Sequence, residues 1–189
     1  MVWWKAKSSE ALTIEGPLQE VHLMDKEVAY IAPVGFYECG RNSIWHSVLV
    51  RPRLQEVREV PEPIGNKVSV QDIDGDGVSE VVSESVASGG GSTYRIRTIA
   101  RFDGFTPVVL HAAVDGDNLG NCEGDMAAVS GGCKKVDVAW KLEQSSDHGM
   151  LLVETVVTGS GPHPDHLKSQ RQVRRYFLVE NTFVRDDWR

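Results

Sequence analysis

Residues 136–143 alternate with period two, Val136, Val138, Trp140 and Leu142 against Asp137, Ala139, Lys141 and Glu143. Successive side chains of a strand point to opposite faces, so this spacing predicts a strand with one face on a core. The turn at residues 145–149, SSDHG, follows, and residues 150–157 return as a mostly apolar strand, which makes a hairpin. A second hairpin runs through 94–102 and 105–111 around Asp103-Gly104, where Pro107 points to an edge or a bulge. A third joins 173–179 to 182–185 around Glu180-Asn181. Further strands are expected at 21–23, 28–31, 44–50, 67–70 and 80–85. The proline-bearing stretch 51–65 reads as a connection without regular structure. Only residues 166–175 have the length and the formers for a helix, starting at Pro164-Asp165, and they are polar almost all round, as in a surface turn or two. No repeat is present, which excludes a propeller. The expectation is one all-β domain over residues 1–189, an antiparallel two-sheet, sandwich-like fold.

The chemistry concentrates in Asp72-Ile-Asp-Gly-Asp-Gly-Val-Ser-Glu80. Asp72, Asp74, Asp76 and Glu80 offer side-chain oxygens at loop positions 1, 3, 5 and 9, and the Val78 carbonyl offers a main-chain ligand. Gly75 and Gly77 let the backbone turn tightly enough for these oxygens to converge. An Asp-Gly-rich stretch is also a common solvated turn, but four carboxylates in one short arc repel each other unless a cation holds them. All-oxygen ligands without a neighbouring His or Cys pair point to calcium. An EF-hand is excluded, because its position 12 falls on Ser83 and the flanks read as strands.

Residues 70–82, VQDIDGDGVSEVV, resemble the calcium loop of FG-GAP and VCBS-type bacterial extracellular proteins, where such a run lies between two strands. The resemblance implies calcium and an exported β-rich protein. It leaves activity open, because the same loop occurs on adhesins, enzymes and inhibitors.

The formal charge of −7 argues against a nucleic-acid partner and leaves room for a basic protein partner. No apolar run approaches the ~20 residues of a membrane-spanning helix. The start, Met1-Val-Trp-Trp-Lys5, has neither a basic segment nor an apolar h-region, so the chain is either cytosolic or lacks a signal already removed. The second is favoured, in a periplasmic or secreted protein, because acidic calcium loops suit millimolar-calcium compartments. Cys122 and Cys133 bracket a Gly- and Asp-containing segment that a disulfide would hold, stabilising by about 3 kcal/mol in the chain-entropy account. Cys39 is then the odd cysteine, a buried thiol in the simplest reading.

After the acidic loop comes Ala87-Ser-Gly-Gly-Gly-Ser-Thr-Tyr94, which is either a loose linker or a loop that presents small residues to a partner. The order of acidic loop, strand, glycine turn, Tyr and strand over residues 68–102 resembles the periplasmic inhibitors of invertebrate-type lysozyme. It also resembles related immunity proteins against secreted peptidoglycan hydrolases. The resemblance implies that Ser88, Gly89, Gly90, Gly91, Ser92 and Tyr94 enter a hydrolase cleft. His163 and His166 lack a third ligand at motif spacing, His46 reads as a solvent-facing strand residue, and Asp115, Asp117 and Asp125 are too irregularly spaced for a second loop. No nucleophile elbow or phosphate loop occurs. The expected function is a calcium-binding periplasmic immunity protein or inhibitor, without enzymatic activity, that occludes a lysozyme-like or amidase effector. The alternative is a secreted or surface adhesion-type module with structural calcium.

Overall fold

The computed structural model describes residues 13–14, 16–36, 44–124, 131–145 and 149–186. They form strands β1 (Thr13–Ile14), β2 (Gln19–His22), β3 (Val28–Phe36), β4 (Ile44–Arg51), β5 (Glu56–Glu59), β6 (Lys67–Gln71), β7 (Glu80–Gly89), β8 (Ser92–Asp103), β9 (Thr106–Asp117), β10 (Cys133–Ser145), β11 (Gly149–Gly161), β12 (Lys168–Val179) and β13 (Thr182–Arg185). Among the described residues there is no α-helix, only two three-residue 3-10 turns, Pro52–Leu54 and Pro164–His166. The strands make two antiparallel sheets, as the alternation and the turn spacing require. β1 to β5 form the smaller one. β6 to β13 form an eight-stranded meander in which each strand pairs with the next.

The meander curls because β9 and β10 stay paired only at Lys135↔Asp117 and Val136↔Gly116. Beyond that point the two strands part, and β13 comes round to lie against β9. Pro107 sits on the parted stretch of β9, where its missing N–H costs nothing to β10, and a register shift opposite Ile99 and Ala100 bends the strand nearby. Ile99, Leu110, Leu152 and Phe183 fill the interior of the curl, with Trp140, Leu142 and Tyr176 packed around them.

The other side of β7 and β8 is covered by the small sheet. Val21, Leu23, Ile31 and Leu49 pack there on Val81, Ala100 and Phe102. Residues 98–102 of β8 are therefore buried without interruption, because neighbouring side chains go into two different cores. Each fully buried aliphatic or aromatic side chain contributes about 1.5–3 kcal/mol, so β8 is the wall both cores depend on.

Three segments differ from the sequence-based expectation. Residues 166–175 do not form a helix: His166 ends the 3-10 turn, and residues 168–175 open β12, where pairing along β11 satisfies the backbone and overrides helix propensity. Residues 51–65 are not structureless, since they hold β5 and the turn Pro52–Leu54. Residues 88–94 are not a loose loop but the end of the β7–β8 hairpin, closed by Gly90 and Gly91 at φ +57° and +76°, the left-handed geometry that a two-residue hairpin turn favours. Cys39 lies outside the described residues.

The strap from Val60 to Gly65 runs between the sheets, and hydroxyls satisfy its backbone. Ser83 Oγ accepts from Gly65 N (3.2 Å), while Ser47 Oγ donates to Gly65 O (2.8 Å) and Thr98 Oγ1 to Pro63 O (3.2 Å). A Cβ on Gly65 would stand 2.1 Å from the Glu84 carbonyl oxygen. Gly65→Ala is expected to lower stability in urea unfolding by at least about 1–3 kcal/mol, through overpacking against backbone. Gly89→Ala, with nothing within 4 Å of its Cβ position, should stay within about 0.5 kcal/mol of the parent.

Candidate metal centre and hairpin tip

The acidic loop joins β6 to β7, and its carboxylates organise its own backbone. Asp72 Oδ1 accepts from Gly75 N (2.8 Å) and Oδ2 from Gly77 N (3.0 Å), with both glycines at positive φ, +77° and +79°. Asp76 Oδ1 accepts from Val78 N (2.7 Å), and Glu80 Oε2 from Ile73 N (2.6 Å). One oxygen each of Asp72, Asp74 and Glu80 lies within 4.8 Å of the others, a set that could hold a metal ion. Asp76 stands outside this set.

A residue that sequence spacing did not flag sits in the middle of the loop. Arg101 of β8 reaches Asp74 Oδ2 at 2.8 Å, Asp76 Oδ2 at 3.0 Å and Glu80 Oε1, and it also donates to Asn181 Oδ1 at 2.5 Å in the β12–β13 turn. Val81 pairs with Ala100, so Glu80 and Arg101 are cross-strand neighbours. The Arg101 side chain is 5% exposed and that of Glu80 0%. Burial raises the Glu80 carboxyl above its ordinary range, against the pull of the Ile73 N–H and of Arg101. Lys26 Nζ adds a second cation, donating to the Asp76 carbonyl at 2.5 Å. A lone charge in the run Thr98-Ile-Ala-Arg-Phe102, on the strand that follows the one the acidic loop opens, is the signal that would have found it.

The hairpin tip lies at the far end of the same two strands. Tyr94 is 51% exposed and shares its face with Ile96 and with Val114, which is 58% exposed. Ser88 pairs with Thr93 and Gly89 with Ser92, which leaves Gly90-Gly91 as the turn. Gly120 N donates to Gly91 O at 2.8 Å and the Asn121 amide to Gly90 O. A Cβ on Gly91 would stand 2.6 Å from Gly120, so only glycine permits this contact. The next residue, Cys122, is disulfide-bonded to Cys133 at the start of β10. The bridge expected from the loop argument therefore anchors the segment that braces the tip. It fits an oxidising compartment such as the periplasm or the exterior. No helix among the described residues is long and apolar enough to cross a membrane.

None of the remaining sequence candidates joins the acidic loop, and Asp115 and Asp117 lie on β9 opposite Arg95 and Thr93. Asp115 is held by Arg97 (3.4 Å) and Arg95 (3.7 Å), and Asp117 Oδ1 accepts from Leu119 N (3.1 Å); Asp125 lies outside the described residues. His163 pairs with Glu123 at 3.1 Å and its ring is 5.7 Å from that of His166 on an exposed turn. His46 pairs with Glu59 at 2.7 Å.

A buried polar cluster that the sequence reading missed occupies the interior of the curl. Glu154 Oε2 meets His111 Nε2 at 3.1 Å, while Oε1 accepts from Arg174 Nη1 and from the Tyr176 hydroxyl, each at 3.2 Å. Burial pushes the His111 imidazole below its usual value, with Glu154 pulling back, and burial and Glu154 together push the Tyr176 phenol up. Glu154 is the one carboxylate in the apolar run 150–157, which was its visible mark.

No protein-family model matches the chain, and neither a curated protein nor a solved structure resembles it significantly.

Arg101→Met is expected to cost about 3–5 kcal/mol in urea unfolding, because it leaves the fully buried Glu80 carboxylate without its cation. Adding Glu80→Gln to that variant should recover a large part of the loss. Equal stability of the single and double variants would refute the pairing.

Proposed function

We propose that this is an exported calcium-binding protein that binds and occludes a peptidoglycan-degrading enzyme, a lysozyme-like or amidase effector, as an immunity protein or inhibitor. One observation carries the reading: a half-exposed Tyr94 stands beside a Gly90-Gly91 tip held in one conformation by the Gly120 and Asn121 contacts. A rigid tip loses little conformational entropy on entering a cleft, and an aromatic next to it is the kind of anchor that dominates tight interfaces. The formal charge of −7 favours encounter with a basic enzyme.

Calcium is the ion this reading places at Asp72, Asp74 and Glu80. Three of the four loop carboxylates, Asp74, Asp76 and Glu80, meet Arg101, and Lys26 reaches only the Asp76 main-chain carbonyl, so four formal negative charges against these two cations leave an excess of two for a divalent ion to neutralise. All candidate ligands are oxygens, in a loop whose glycines allow the larger coordination shell that calcium takes.

Removing calcium with EGTA should lower the melting temperature, because an ion bound only by the native state stabilises it by mass action. Asp74→Asn should abolish most of that difference. Identical melting curves with EGTA and with excess calcium in the parent protein would remove calcium from the reading.

The binding claim predicts a 1:1 complex burying roughly 1,200–2,000 Å² with the target enzyme. Tyr94→Ala should weaken it by about 2 kcal/mol or more, about thirtyfold, while melting stays unchanged because the ring is half exposed. Full affinity in that variant would exclude the tip. Failure to bind any peptidoglycan hydrolase, with calcium binding intact, would favour an adhesion-type module.

A further inference from the structure

The large sheet has two ends and one open flank. At β6 the edge is occupied by the Gln19 side-chain amide, which donates to Val68 O (2.8 Å) and accepts from Val70 N (3.2 Å) as a strand would. At the other end β13 lies against β9. β13 pairs with residues 176–179 of β12, and Asp186 N extends the contact to the Arg175 carbonyl (2.8 Å). Residues 168–174 of β12 pair with β11 on one side and, among the described residues, with no strand on the other. Alternate backbone N–H and C=O groups of that stretch face outward, a ready template for one more strand.

This flank carries an unusual charge. In a chain of net −7, residues 168–175 read KSQRQVRR, four cations without a carboxylate. Arg174 is engaged by Glu154 and Gln172, but Lys168, Arg171 and Arg175 have no carboxylate within ion-pair distance among the described residues. The free edge of the small sheet is different: β5 is four residues long, Arg58 is paired with Glu56 and Glu59 with His46. Charges on an edge often serve only to repel other strands. Here, however, a cavity of about 410 Å³ opens on the β11–β12 face beside this edge, lined by Val156, Thr158, Gln170, Arg171, Gln172 and Arg174, so side chains on that face of an added strand would border it. A second copy of β12 would set cation against cation, and a strand of opposite charge would not.

We propose that residues 168–174 of β12 form a docking edge for an extended acidic segment of a protein partner, which adds to the sheet as one further strand. The site is distinct from the hairpin tip and does not rest on the function proposed above. Main-chain pairing supplies the affinity and the cations select the partner.

The test uses the full ¹⁵N-labelled chain and an acetylated, amidated octapeptide of alternating valine and glutamate. Two control peptides accompany it, one with lysine for glutamate and one with every peptide nitrogen methylated. The acidic peptide should shift the amide resonances of residues 168–174 and slow their hydrogen exchange. The lysine peptide should do neither. Affinity should fall about tenfold or more for the methylated peptide and for the R171E/R175E variant, whose exposed positions leave melting unchanged. Equal binding of the methylated peptide would reduce the edge to a charge patch and overturn strand addition. The proposal is also overturned by the absence of shifts at millimolar peptide or by tighter binding of heparin at the same residues. Concentration-dependent dimerisation through β12 would overturn it as well.

Discussion

The buried pair of Glu80 and Arg101 is where the parts of this molecule meet. Glu80 ends the acidic loop and begins β7, Arg101 lies opposite on β8, and the guanidinium continues to Asn181 in the turn between β12 and β13. One side chain thus connects the loop, the shared wall of the two cores and the last hairpin of the curled sheet. A buried ion pair gains little net stability over an apolar pair of the same shape, because desolvating both charges offsets their attraction. What it supplies here is position: an unpaired Glu80 would be intolerable in a side chain with no exposure, so β7 and β8 are held to the register that brings Arg101 across from it.

The two cores follow from that register. With Glu80 and Arg101 on one face, Val82 and Ile99 join them inside the curl, while Val81, Ala100 and Phe102 turn to the small sheet. A slip of one residue would exchange these sets and place the arginine among Val21, Leu23 and Ile31. The acidic loop therefore cannot be regarded as an appendage to a finished fold. Its oxygens balance a cation built into the sheet, and any metal ion there adds to an arrangement already part-neutralised.

Much of the fold was legible because the physics behind it is local. Period-two alternation located β10, a mostly apolar run after the turn at 145–149 located β11, Asp-Gly and Glu-Asn marked turns, and the eleven-residue cysteine spacing gave the disulfide. What stayed hidden depends on pairing between distant segments. Residues 168–175 have helix formers in sequence but lie along β11, and nothing local to them announces that neighbour. Gly90-Gly91 reads as slack in isolation, yet Gly120 and Asn121 fasten it from about thirty residues away. Asp72, Asp74 and Glu80 were visible as a cluster, whereas Arg101 entered it only through the strand register.

The distribution of constraint along the β7–β8 ribbon bears on how such a sheet would present a surface. At its base the ribbon is buried on both faces and cross-linked by Arg101; at its tip it is exposed, but tied by backbone bonds to a segment closed by Cys122 and Cys133. β9 pairs with β8 as far as Thr93↔Asp117, so the tip is the end of a three-stranded stretch of sheet and not an isolated two-stranded ribbon, which would be marginally stable. Fixing both ends as well holds the tip while leaving Tyr94 and Val114 uncovered. The disulfide, remote from the acidic loop in sequence and in the sheet, thus completes the same mechanical element that the buried ion pair begins. Asn118 ties the same segment to β10 beside it, donating to Gly132 O and accepting from Lys134 N.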